Sequence, residues 1–179
     1  MKDGVKKVLK VAIFSSFIGL VLILTSQTNL AFAKNQSENN NPSLVLVNSI
    51  REKYQLNDLK WNPELAKAAQ DKALDMENYN YFDHISPNGT KAWAFILNEN
   101  YEYLNAGENL AIDFPNVNKA TIAWEASPTH LKNIVSSDYD EFGSVQMKIN
   151  IEGRATDVYV QIFGREKPVY DRILNNIVK

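Results

Sequence analysis

Apolar positions recur at helical spacing through the first half of the chain. From Pro42, the positions Leu44, Val45, Val47, Ile50 and Tyr54 predict a helix that ends near Gln55–Asp58. A second helix is better marked: Asn62 suits its cap and Pro63 its first turn. Leu65, Ala66, Ala69, Ala73, Leu74 and Met76 give it an apolar stripe that stops near Asn80. Residues 86–90, Ser-Pro-Asn-Gly-Thr, read as a turn, and residues 91–100 as a short helix with Trp93, Ile96 and Leu97 inward. Around Gly107, residues 101–113 mix aromatic and aliphatic side chains without a clean period and are read as irregular strand or loop. Val117, Ala120, Ile122 and Trp124 predict a helix over about 116–126, and residues 128–135 a further short one.

The period then changes. Residues 142–151 and 157–164 alternate, and Glu152–Thr156 between them predicts an antiparallel hairpin. Pro168 ends that strand, and Ile173, Leu174 and Ile177 form a last helical stripe. Helices first and a hairpin late, with no strand–helix–strand alternation, predict an α+β fold with an antiparallel sheet buried under helices.

The N-terminus reads differently. Lys2, Lys6, Lys7 and Lys10 precede an uncharged apolar run from Val11 to Leu24, and small residues at Ala31 and Ala33 match a cleavage site. The apolar run is shorter than the roughly 20 residues a membrane span needs. Residues 1–33 are therefore read as an export signal, with an uncleaved anchor as the alternative. Residues 34–42, rich in Asn and Ser, are read as a flexible linker, and 43–179 as one domain. The signal's four lysines and Asp3 contribute +3 to the formal total of −2, so the rest of the chain carries −5. An acidic, exported, monomeric protein is expected, with nucleic acid excluded as a partner and no stable membrane span after cleavage. With no cysteine there is no disulfide, no thiol nucleophile and no lipidation site. Such a chain suits a Gram-positive bacterium's secreted protein.

The candidate chemistry lies in four stretches, "FDHISPNGT", "NAGENLA", "AWEASPTHLKN" and "VYVQIFG", which hold both histidines of the chain. In this order and separation they resemble the CAP superfamily (cysteine-rich secretory, antigen 5 and pathogenesis-related 1 proteins, the SCP-like domain), in its cysteine-free bacterial branch. The resemblance spans about residues 43–165. It implies a three-layer α–β–α sandwich with a central cleft into which two histidines and up to two glutamates project. Residue by residue, His84 fits the first histidine, Glu108 the first acid and His130 the second histidine. Ser127 stands where the second acid is expected. Glu125, two residues earlier on the helix, is rotated by about 200° and should point elsewhere. The expected site is a trio of His84, Glu108 and His130.

Two neutral imidazoles suit zinc or another divalent cation, so His84 and His130 are the candidate metal ligands. Glu108 would complete the shell or accept a proton from a bound water. The resemblance implies extracellular binding of a lipid, sterol or protein partner; the alternatives are a metal-dependent peptidase and a structural cell-surface module. Each histidine also has a plain reading as a packed or capping side chain, and Glu108 as an acceptor for loop N–H groups. Ser86, Ser127 and Ser136 are weaker candidates as nucleophiles, and Ser86 and Ser127, each before a proline, fit turn or cap roles better. Trp61, Trp93 and Trp124 are read as core.

Overall fold

The structure is a computed structural model that describes residues 40–172. The export signal, most of the linker and the stripe of Ile173, Leu174 and Ile177 lie outside the described residues.

The two expected N-terminal helices form where their caps place them. In α1 (Pro42–Lys53), the Asn41 side chain accepts from the N–H groups of Ser43 and Leu44 at 3.0 and 3.3 Å. These satisfy donors that the first turn leaves without partners. In α2 (Pro63–Tyr79), Asn62 accepts from Leu65 N–H at 2.9 Å, and Asn80 ends the helix in the left-handed region at φ 56°. Tyr81 N–H then returns to Met76 O at 3.1 Å, closing the helix and setting the direction in which the chain leaves for His84. Then follow α3 (Ala92–Asn98), β2 (Tyr103–Ile112), α4 (Val117–Ala126), α5 (Pro128–Ile134), β3 (Glu141–Ile151) and β4 (Arg154–Glu166); β1 is the pair Lys60–Trp61 between α1 and α2. Glu152 and Gly153, both at positive φ, make the tight β3–β4 turn.

The sheet order is β1-β3-β4-β2. It is mixed rather than purely antiparallel, because Lys60–Trp61 runs parallel to Glu141–Phe142 while the other pairs are antiparallel. Alternation along β4 feeds two cores. Val158, Val160 and Ile162 pack under α2 and α3 with Leu65, Ala69, Met76 and Ile96. Tyr159 and Phe163 pack on the opposite face under α1, α4 and α5 with Val47, Trp124 and Ile134. Each such aliphatic side chain contributes about 1.5–3 kcal/mol on full burial. Helices thus cover both faces, and the three-layer α–β–α arrangement holds. At Gly143 the backbones of α2 and β3 nearly touch: a Cβ there would lie 2.1 Å from Ala66 N.

Three local expectations are corrected. Residues 103–112 form a regular ten-residue strand, not an irregular segment. Both its faces are covered, and the buried Glu108 and Asn109 break the apolar alternation. Leu97 and Ile122 are exposed, and Phe95 and Thr121 are buried in their helices instead, while Ile96, Ala120 and Trp124 are buried as expected.

Candidate functional site

Glu108 lies in the middle of β2, paired with Ile162, and its side chain is turned toward the α2–α3 connection. There the His84 ring donates from Nδ1 to Glu108 Oε1 at 2.5 Å. The carboxylate side chain is 3% exposed and the imidazole 55%, so the ring covers a buried acid and shows its other edge to solvent. Glu108 Oε2 is buried and has no hydrogen-bond partner among the described residues. The hydrogen bond that His84 donates to Glu108 holds the imidazole's pKa above its ordinary value, against the smaller opposing effect of partial burial.

Because β2 is at the sheet edge, its outward carbonyls need partners. Tyr139 Oη donates to Ala106 O at 3.2 Å, Asn133 Nδ2 to Glu108 O at 3.0 Å, and Trp124 Nε1 to Leu110 O at 2.9 Å. Side chains from α4, α5 and the following loop therefore occupy the positions an added strand would use. Gly107 permits this approach, since a Cβ there would lie 2.6 Å from Tyr139 Oη and 3.1 Å from Asn133 Oδ1. The glycine of "GENLA" thus has a packing reason.

His130 is on α5, one turn before Asn133. Its Nδ1 shares a 2.9 Å hydrogen bond with Ser127 Oγ, and its backbone carbonyl accepts from Asn109 Nδ2 at 3.2 Å. Burial, and then the charge on His84, lower its pKa. Ser127, at the position expected for a second acid, engages His130 as a neutral partner. Glu125 turns away and pairs with Lys53 Nζ at 2.7 Å, in line with its helical phase. Arg51 anchors the C-terminal end of α5, donating from Nη1 to Ile134 O and Ser136 O, both at 2.8 Å. Among the described residues, no three His, Cys, Asp or Glu side chains are grouped closely enough to hold a metal ion.

Beside the His84–Glu108 pair is a cleft of about 440 Å³, lined by Ile85, Lys91, Trp93 and Asn133 as well as by the pair itself. His130 does not line it. Of the three tryptophans, Trp124 is core, whereas Trp93 is half-buried, tilts against Tyr103 at 6.3 Å and walls the cleft. Ser86 is buried and Ser136 Oγ accepts from Asp138 N–H, so neither is presented to the cleft as a nucleophile.

Sequence reasoning missed Lys91, Asn133 and Lys72. Lys72 is completely buried on α2, and its Nζ reaches the backbone carbonyl of His84 at 3.3 Å. It lies inside the stripe of Ala69, Ala73 and Met76, and a charge at such a position was the available signal. Burial lowers its pKa, and Glu108, Asp75 and Asp83 oppose that shift.

Residues 44–161, more than half of the chain, match the family described as Cysteine-rich secretory protein family, CAP. The uncharacterized protein YkwD of Bacillus subtilis is 34% identical over 98 residues, covering 55% of this chain and 38% of that protein. The uncharacterized membrane protein YlbC of the same organism is 31% identical over 110 residues, 62% of this chain and 32% of that one. The chain thus spans well under half the length of either relative. Among solved structures, an extracellular SCP-domain protein of Bacillus anthracis superposes with a TM-score of 0.61 at 26% identity, covering 70% of this chain and 39% of that one. An outer surface protein of Borrelia burgdorferi gives 0.59 at 26% identity, with 69% and 91% covered. With the fold, the stretches around His84, Glu108 and His130 and the family match all agreeing, this cysteine-free chain belongs to the cysteine-rich secretory protein (CAP) family.

Proposed function

We propose that the protein is an exported CAP-domain binding module whose cleft beside His84 and Glu108 receives an amphipathic ligand: a lipid, a sterol or a segment of an extracellular protein. The observation that carries this reading is the cleft itself. Apolar walls from Ile85 and Trp93 adjoin Lys91, Asn133 and the His84 imidazole, so an apolar body and a polar head find complementary surfaces together. Export draws support from the residue 1–33 pattern and from the extracellular SCP-domain relative. Among the described residues no helix is long and apolar enough to cross a membrane.

The test is thermal unfolding of the purified protein against a panel of a fatty acid, a sterol, anionic phospholipid vesicles and a peptide library. A ligand of the folded state raises the midpoint in a concentration-dependent way. The rise should be lost in Trp93→Ala. A flat midpoint across the panel contradicts the reading.

A second reading, metal-dependent peptide hydrolysis, is favoured by one detail. Both histidines use Nδ1 for their protein partners, Glu108 and Ser127, and neither Nε2 has a hydrogen-bond partner among the described residues. A carboxylate that orients a ligating imidazole is the usual outer arrangement at such centres. His84 and His130 would hold the ion, with Glu108 orienting His84; two protein donors fit an open, weak site rather than a closed structural one. Bound there, a divalent cation would supply Lewis acidity and acidify a water. Peptide cleavage that disappears with chelation and with His84→Ala supports this reading; cleavage at the level of that variant rejects it.

A further inference from the structure

Lys72 is fully buried in the middle of α2, with its head turned toward the segment that carries His84. Its Nζ donates to Tyr81 Oη at 2.7 Å and to the backbone carbonyl of His84 at 3.3 Å. It also lies 4.7 Å from the centroid of the Tyr81 ring and 5.8 Å from that of Phe95. Tyr81 in turn donates to Asp75 Oδ2 at 2.5 Å, which fixes the phenol oxygen as an acceptor for the lysine. The charges of Glu108, Asp75 and Asp83 favour the ammonium against the effect of burial. Two buried oxygens, Ser86 Oγ and Glu108 Oε2, have no hydrogen-bond partner among the described residues.

An apolar side chain of similar length would fill this space without the cost of removing a charge from water. A lysine here offsets that cost only if its donors matter, and they end on Tyr81 Oη and on the His84 main chain. We infer that Lys72 is a positioning residue of the cleft: it pins the backbone at His84, so the imidazole stays seated on the Glu108 carboxylate. This role rests on the cleft reading above only for its use, because it is measured on His84 itself; a failed ligand screen and a failed Lys72 test are therefore distinguishable.

The experiment compares the unaltered protein with Lys72→Met by thermal unfolding and by NMR of the imidazole N–H groups. His84→Ala identifies the His84 resonance. The expected result is a folded Lys72→Met protein in which the hydrogen-bonded Nδ1–H resonance of His84 is lost to solvent exchange. A folded variant with that resonance unchanged overturns the role and leaves Lys72 as filler. If Lys72→Met does not fold, the unaltered protein decides with its lysine ammonium groups labelled. Slowly exchanging Nζ protons with cross-relaxation to Tyr81 and to residue 84 uphold the assignment, and their absence overturns it.

Discussion

His84 and Glu108 come from a connecting segment and an edge strand, 24 positions apart, and meet at 2.5 Å with the acid beneath and the imidazole above. The histidine's pKa is raised, so the pair's contribution to stability is complete below the ordinary histidine value of about 6.5 and fades as pH rises through the folded-state value. His130 shifts the other way, and its burial costs stability as pH falls below that ordinary value. Imidazole NMR titration should place the His84 midpoint above that of His130, and Glu108→Gln should lower the His84 midpoint. Coincident midpoints, unchanged by Glu108→Gln, contradict the pairing.

Gly143 and Gly107 should respond unequally to alanine. At Gly143 the added methyl meets the α2 backbone at 2.1 and 2.3 Å, whereas at Gly107 it meets the ends of the Tyr139 and Asn133 side chains. Overpacking typically costs about 1–3 kcal/mol, so Gly107→Ala belongs in that range and Gly143→Ala at its top or beyond. Denaturant unfolding of the two variants checks the ranking. An equal or reversed order means that the α2–β3 contact is looser than described.

Trp124→Phe removes the only side-chain donor described for Leu110 O while keeping most of the aromatic volume. Leaving a buried acceptor without its donor costs about 1–3 kcal/mol. A loss below a few tenths of a kcal/mol would show that the edge carbonyl finds another partner.

Glu125→Ala should change little. Its partner Lys53 is largely exposed, and exposed pairs contribute about 1 kcal/mol or less. The His84 and His130 titrations should be unaffected. A shifted His130 midpoint would instead give Glu125 the place of the second acid.

Much of this was legible in the sequence because local signals coincided with their tertiary use. Asn62 and Pro63 begin α2 where their chemistry requires, and the alternation in β3 and β4 survives because each face has its own core. The family stretches placed His84 and Glu108 together, and helical phase alone turned Glu125 away from them. Other features were hidden for physical reasons. β2 lost its period because Glu108 and Asn109 are both buried. Asn133 gains its role only when β2 becomes an edge that needs capping, a fact of strand order rather than of spacing. Parallel pairing of Lys60–Trp61 is too short to leave a pattern.

The most direct test of the binding account is backbone and imidazole NMR of the purified protein titrated with whichever amphipathic ligand raises its thermal midpoint. The account predicts shift changes concentrated at Ile85, Trp93, Asn133 and the His84 ring. Changes confined to the outer faces of α1 and α4, with the His84 ring unmoved, would contradict it.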